Sequence, residues 1–313
     1  MSEKYKNVQH PAIPFHATAC YYVGMNSQRT QPHIPRIDDG NGDHDPLLYE
    51  TLVIAEKVDG FSSVTDEHLD FYTQEGYLAI ENAFDRERVE AAKNGLLDLI
   101  MGRVPDFESI SFEAKAAANL DSLSVEERQD AVRKLMFFVD YEKRLQQLAT
   151  DPDLLALIQR IIGSKPRMFQ DMALIKPPKI GREKPWHQDQ AYFNYPLETK
   201  VVGVWIALDE ATRANGCMHV QPRGHQQGPV IHFKRRDWQI CDTEIMGKPC
   251  VAVPLKPGGI LLFNGLLPHG TPSNYSGERR KALQFHYFAE NTEAVPESER
   301  LATFGSEGKN VEC

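Results

Sequence analysis

The feature that most constrains this chain is a change of periodicity at Gly163. Beyond it come MFQDMALIKPP (168–178), VVGVWIAL (201–208), CMHVQP (217–222), CVAVPL (250–255), GILLFN (259–264) and KALQFHYFAE (281–290). These short segments are rich in β-branched and aromatic residues and bounded by Gly, Pro or Asn, as strands are. Before Gly163 the apolar spacing is mostly helical. DEHLDFYTQEG runs at helical spacing up to Gly76, and YLAIENAF alternates as a short strand. Asp85 can cap a helix whose apolar stripe is Val89, Leu96, Leu97 and Ile100, with Gly102 past its end. A second helical block is expected over 125–162, interrupted at Asp151 and Pro152, where proline suits a new helix start. Helices followed by a run of strands predict an α+β fold with an antiparallel double-sheet core. Residues 1–65, mixed in His, Pro, Asp and Gly, read as an N-terminal extension that wraps or covers a body at 66–290, with 291–313 as a tail.

Composition enters as a set of exclusions. The 35 basic and 44 acidic residues leave a net charge of −9, which argues against a protein that neutralises a nucleic-acid backbone. The N-terminus has no apolar run of signal-peptide length and no stretch of 18 apolar residues occurs, so a cytoplasmic location without a membrane span is expected. Five widely spaced cysteines without a CxxC fit reduced thiols. Neither GxGxxG after a strand nor GxxxxGK[ST] occurs, which removes the nucleotide-binding folds.

Chemistry concentrates in three places. His187 and Asp189 stand two residues apart, a spacing that on an extended chain turns both side chains to one face, as ligands of one metal ion require. Alone, His-x-Asp is a weak signal. The apolar strand at 259–263 runs on to Pro268-His269-Gly270 and offers a second imidazole from a non-adjacent strand. Two imidazoles and one carboxylate on one face leave three positions of an octahedron open, the donor set of non-haem Fe(II) oxygenases, although zinc accepts the same ligands. The third place is the last strand. Read with period two, it sends Arg280, Ala282, Gln284 and His286 to one face and Lys281, Leu283, Phe285 and Tyr287 to the other. The polar set should line a cavity, with Arg280 inward as a fork for a carboxylate and Arg279 outward as a solvated charge.

With these residues in view, 169–288 resembles the phytanoyl-CoA dioxygenase family of Fe(II)/2-oxoglutarate oxygenases. The resemblance is carried by KPP (176–178), HQDQAYF (187–193), VW (204–205), NGC (215–217), PRGH (222–225), PGG and LLF (257–263), HG (269–270) and RRKA (279–282), with weaker similarity back through EGYLAIENAF. It implies a double-stranded β-helix, a cupin-like jelly-roll core, supported by helices from the N-terminal half. It implies further that His187, Asp189 and His269 are catalytic and hold Fe(II). Arg280 would pair with the C5 carboxylate of 2-oxoglutarate with Thr271 nearby, while Gln170, Met172, Trp205 and Lys134 would surround the cosubstrate. Relatives that halogenate lack the carboxylate, so Asp189 implies hydroxylation of an unactivated C–H bond with release of succinate and CO2. The cofactors implied are Fe(II), 2-oxoglutarate and O2, with ascorbate as an accessory reductant. The substrate implied is a small molecule, anionic or acyl-CoA-like, and the variable loops do not name it.

The alternative from another class is a cupin-like metal protein without 2-oxoglutarate turnover, a zinc hydrolase, isomerase or binder. The register of Arg280 discriminates against it. The remaining histidines have bland readings: His219, His232 and His286 as non-ligands, His225 as a neighbour of the site, and His10, His16, His33, His44 and His68 as surface or packing residues. Lys234, Arg235 and Arg236 read as a solvated loop. The extension, 179–184 and 228–249 are the expected lid and substrate contacts.

Overall fold

The alternation along 280–289 sets the architecture, because each strand face needs its own packing layer. The computed structural model of the chain describes residues 36–38, 43–113 and 122–305. Most of the expected extension, with His10, His16, His33 and Cys20, and the end of the tail with Cys313, lie outside the described residues. Nine strands form one sheet, in spatial order β1 (Arg36–Asp38), β4 (Ile110–Glu113), β5 (Val132–Met136), β6 (Pro166–Lys176), β15 (Arg280–Ala289), β8 (Val202–Ala207), β13 (Ile260–Asn264), β3 (Tyr77–Glu81) and β2 (Lys57–Asp59). A second sheet runs β12 (Val251–Val253), β9 (Met218–Val220), β14 (His269–Thr271), β7 (Lys184–His187), and β10 (His232–Lys234) pairs with β11 (Trp238–Ile240) as a separate hairpin.

One face of the large sheet sends Leu283, Phe285, Tyr287, Val204, Ile206 and Leu262 into a core shared with helices α2 (Arg86–Ile100), α4 (Lys143–Ala149) and α5 (Pro152–Ile162). The other face sends Trp205, Leu261, Phe263 and Ala282 against Met218, Val220, Val251 and Val253 of the smaller sheet, closing a jelly roll. Each fully buried Leu or Phe contributes about 1.5–3 kcal/mol by leaving water. The caps are as expected. Asp85 accepts from Arg88 N–H at 2.8 Å, and Asp151 accepts from Leu154 N–H at 2.9 Å ahead of Pro152, with Gly163 left-handed at the helix end. In α2 the buried stripe uses Leu99 where Leu97 was expected, and Leu97 is half-buried.

One expectation is corrected. The block 125–162 is not continuously helical: α3 (Val125–Ala131) ends where β5 begins. Val132 and Leu135 are buried against the helical layer, and β5 hydrogen-bonds to β4 and β6 on either side. Pairing with two neighbours outweighs a short segment's helical preference. The turn after β5 is held by Asp171, whose carboxylate accepts N–H bonds from Phe137, Phe138 and Val139 at 3.1, 2.6 and 2.9 Å.

Candidate metal and cosubstrate site

His187 is the last residue of β7, and Asp189 opens the 3-10 turn Asp189–Tyr192. The two are therefore not both on a strand face, as the spacing suggested; the turn folds the carboxylate back toward the imidazole. His269 also arrives differently from expectation. It is the first residue of β14, which lies next to β7, and it sits directly opposite His187 in the antiparallel register, with ring centres 4.3 Å apart. Gly203 makes room for this. A Cβ there would meet the Phe263 ring at 2.4 Å, and Phe263 lies 4.6 Å from the His269 ring as its floor.

Both imidazoles are oriented by the backbone. His187 Nδ1–H donates to the Pro185 carbonyl at 2.7 Å and His269 Nδ1–H to that of Leu267 at 2.9 Å. Carbonyls only accept, so Nδ1 of each ring carries a proton and Nε2 is the nitrogen turned toward Asp189. These nitrogens lie 3.3 and 3.5 Å from Asp189 Oδ1, and one ligand atom from each residue falls within 4.8 Å of the others. All three side chains are buried, and His269 Nε2 has no hydrogen-bond partner. Burial, then the neighbouring His269 and Lys184, pulls the His187 pKa down to about 4, so the ring is neutral at physiological pH. Burial alone would raise Asp189, yet the surrounding imidazoles outweigh it and hold the carboxylate well below its usual range. Two imidazole nitrogens and an anionic oxygen aimed at one point fit a divalent metal.

The residues expected around a cosubstrate gather by register. Across the inner face of the large sheet, Lys134 pairs with Leu174 and Leu174 with Ala282; Met136 pairs with Met172, Met172 with Gln284 and Gln284 with Trp205; Gln170 pairs with His286. Residues opposite each other share a face, so Lys134, Gln170, Met172, Trp205 and Gln284 line one surface. Arg280, 1% exposed, donates through Nη1 to the Leu174 carbonyl at 3.2 Å and stands 5.4 Å over the Trp205 ring. It forms no ion pair with a described carboxylate. Burial presses its pKa down to about 10. Arg280 Nε and Trp205 Nε1 are both buried donors without partners among the described residues. A buried cation and two unused donors call for an anionic acceptor. Thr271 is buried in the smaller sheet, two residues beyond His269.

His219, His232 and His286 stay outside the group of three candidate ligands, as expected, but two of them touch its neighbourhood. His286 is no bystander: its Nε2 lies 2.7 Å from Asp189 Oδ2, and Gln284 Nε2 reaches the same oxygen at 3.0 Å. Their shared face with Arg280 was the sequence signal. His232 Nε2 accepts from the N–H of Gln188, between the two candidate ligands, at 3.0 Å; no local pattern announces this contact. His225 bonds the Thr73 carbonyl at the end of α1 (Asp66–Glu75). Arg236 is not solvated; it bridges Glu183 and Asp242 at 2.7 and 2.6 Å with its side chain 10% exposed. Arg279 is half-buried and grips Asp130 through two bonds.

The comparisons with known proteins agree with this geometry. A family profile described as phytanoyl-CoA dioxygenase (PhyH) matches residues 72–282. The chain is 25% identical over 279 residues to phytanoyl-CoA dioxygenase domain-containing protein 1 of Danio rerio, covering 77% of this chain and 96% of that protein. It is 24% identical over 236 residues to the peroxisomal phytanoyl-CoA dioxygenase of Homo sapiens, covering 72% and 68%. Among solved structures, the epimerase SnoN in complex with Fe3+, alpha ketoglutarate and nogalamycin RO superposes with a TM-score of 0.61 at 18% identity, over 79% of this chain and 91% of that one. At that identity the likeness concerns the fold.

Proposed function

This chain belongs to the phytanoyl-CoA dioxygenase family, and from that premise we propose that it hydroxylates an unactivated C–H bond of a small-molecule substrate, with His187, Asp189 and His269 as its metal ligands and Arg280 as the anchor of 2-oxoglutarate. It is an Fe(II)/2-oxoglutarate-dependent oxygenase rather than a zinc hydrolase or a cupin-like binder. The observation that carries the residue assignment is the convergence of three buried ligand atoms, one of whose residues, Asp189, touches Gln284 and His286 of β15, the strand whose Arg280 is buried without a carboxylate.

When bound, iron with 2-oxoglutarate and O2 supplies the oxidising chemistry, in which one oxygen atom goes to the substrate and the other to succinate as CO2 leaves. The chain's own residues place the partners. His187 and His269 offer Nε2, while Asp189 offers Oδ1. The fork of Arg280 meets the C5 carboxylate, with Thr271 beside it as a hydroxyl donor. Trp205, Met172 and Gln170 wall the cosubstrate, and Lys134 approaches it from the neighbouring strand. The three protein ligands would leave the remaining positions of a six-coordinate metal to 2-oxoglutarate and O2. The 179–184 stretch and the 228–249 segment that contains the β10–β11 hairpin supply substrate contacts in this reading, and most of the extension lies outside the described residues.

An anionic, acyl-CoA-like substrate rests on the names of the relatives; Arg236 is already committed to Glu183 and Asp242, so it is not the cation that meets phosphates in this reading. Among the described residues no helix is long and apolar enough to cross a membrane. The free Cys217, Cys241 and Cys250 support a reducing compartment, the cytosol in this reading, although relatives include peroxisomal proteins. The test is succinate formation from 2-oxoglutarate with a panel of candidate substrates and mass analysis of the product. His187→Ala and Asp189→Ala should abolish succinate formation. Normal turnover in either variant overturns the ligand assignment, and a product without added oxygen overturns hydroxylation.

A further inference from the structure

The two oxygens of Asp189 have different surroundings. Oδ1 faces the Nε2 atoms of His187 and His269 at 3.3 and 3.5 Å. Oδ2 faces His286 Nε2 at 2.7 Å and Gln284 Nε2 at 3.0 Å. A carboxylate oxygen only accepts, so both neighbours must donate to it. The amide nitrogen of Gln284 therefore points at Asp189, and His286 carries its proton on Nε2. The 3.2 Å between those two nitrogens follows from their convergence on one acceptor. His286 is 0% exposed and Gln284 3%, and both project from the inner face of β15 two residues apart, so neither can turn away without leaving a buried donor unpaired. His286 is further boxed by the Phe193 ring at 4.9 Å and the Phe169 ring at 5.9 Å.

We propose that Gln284 and His286 are positioning residues that hold Asp189 as a one-oxygen ligand, by engaging Oδ2 so that only Oδ1 reaches the metal. The consequence is a matter of coordination number. A carboxylate that swung to bind through both oxygens would take one of the three positions that a chelating cosubstrate and O2 need. Strand β15 then serves the site twice. Its Arg280 end grips the cosubstrate, and its Gln284 and His286 keep the place where the cosubstrate binds open.

The inference rests on the ligand assignment above, and the experiment separates the two. Mn(II) is titrated calorimetrically into the full chain, first alone and then with 2-oxoglutarate, for the wild type, His187→Ala, Gln284→Leu, His286→Phe and His286→Gln. Partners of a ligand typically tune metal affinity 10- to 100-fold. Gln284→Leu and His286→Phe should weaken Mn(II) binding by about that factor and lose most of the 2-oxoglutarate affinity of the Mn(II) form, though neither residue is placed against the cosubstrate's carboxylate. His286→Gln keeps an amide donor near the Nε2 position and should recover most of both. Loss of Mn(II) binding in His187→Ala, with wild-type values in Gln284→Leu and His286→Phe, overturns this inference alone. Retained binding in His187→Ala overturns the ligand assignment and this inference with it. Equal losses in His286→Phe and His286→Gln show a packing role and overturn the donor argument. Should His286→Phe not fold, Gln284→Leu decides by the same two titrations.

Discussion

Arg280→Met is the substitution on which the reasoning about the cosubstrate is most exposed, because it should move two observables in opposite directions. The variant keeps a long flexible stem and removes the guanidinium. In the protein without 2-oxoglutarate that group is buried without a carboxylate, and burial lowers its pKa from 12.5 to about 10. At about 1.4 kcal/mol per tenfold, this is a penalty of about 3 kcal/mol on the charged form. The unfolded chain binds that proton more tightly than the folded one, so near neutral pH the charge destabilises the fold, a cost relieved only as the pH rises past about 10. Against this stands the bond to the Leu174 carbonyl, worth about 1 kcal/mol. The cosubstrate-free variant should therefore match the wild type or exceed it by up to about 2 kcal/mol, some 2–4 °C in Tm for each kcal/mol. With 2-oxoglutarate the sign reverses. Removing the cation opposite a buried carboxylate costs about 2–5 kcal/mol, which weakens cosubstrate binding about 30-fold to several thousand-fold. Thermal unfolding of the Mn(II)-loaded protein with and without 2-oxoglutarate reads both effects, since a ligand stabilises the fold by an amount that grows with the logarithm of its affinity. A variant that keeps the wild-type 2-oxoglutarate shift, or one whose cosubstrate-free Tm falls by several degrees, refutes the argument.

Two further outcomes follow from the same geometry. Gly203→Ala puts a methyl group 2.4–2.7 Å from the Phe263 ring. Overpacking of this kind costs about 1–3 kcal/mol and should tilt the floor beneath His269; urea unfolding and Mn(II) affinity should both fall, and a neutral variant would show that the ring is free to shift. The metal-free protein should also be acid-sensitive. Burial lowers His187 and His219 to about 4 and His232 to about 3, so in the folded state these rings stay neutral where the unfolded chain protonates. Their burial costs nothing above about pH 6.5, and stability is lost as the pH falls from there toward 4, by roughly 3 kcal/mol for each ring. Urea unfolding at pH 7 and pH 4.5 measures this, and equal midpoints would contradict the buried neutral assignment.

How much of this was legible beforehand depended on whether the signal was local. Period-two alternation in 280–289 separates the helix-facing from the cavity-facing residues, because side-chain direction in a strand follows from backbone geometry alone. The caps at Asp85 and Asp151 are likewise local, since a helix end exposes its own N–H groups to the side chain beside it. The resemblance placed the three candidate ligands and Arg280 in one site before any coordinates. Contacts between distant segments decided the rest. Strand β5 looks helical until β4 and β6 offer it hydrogen bonds on both edges, and only then does Lys134 fall on the face of Met172 and Trp205. The opposition of His187 and His269 is a register between segments 82 residues apart. The engagement of Asp189 Oδ2 by Gln284 and His286 spans 95 and 97 residues. By itself the sequence determined which side chains share a face and what chemistry they carry. Which face meets which, and which oxygen of a carboxylate is left free, was decided by the tertiary structure, because burial and pairing are properties of two segments together and neither one holds them alone.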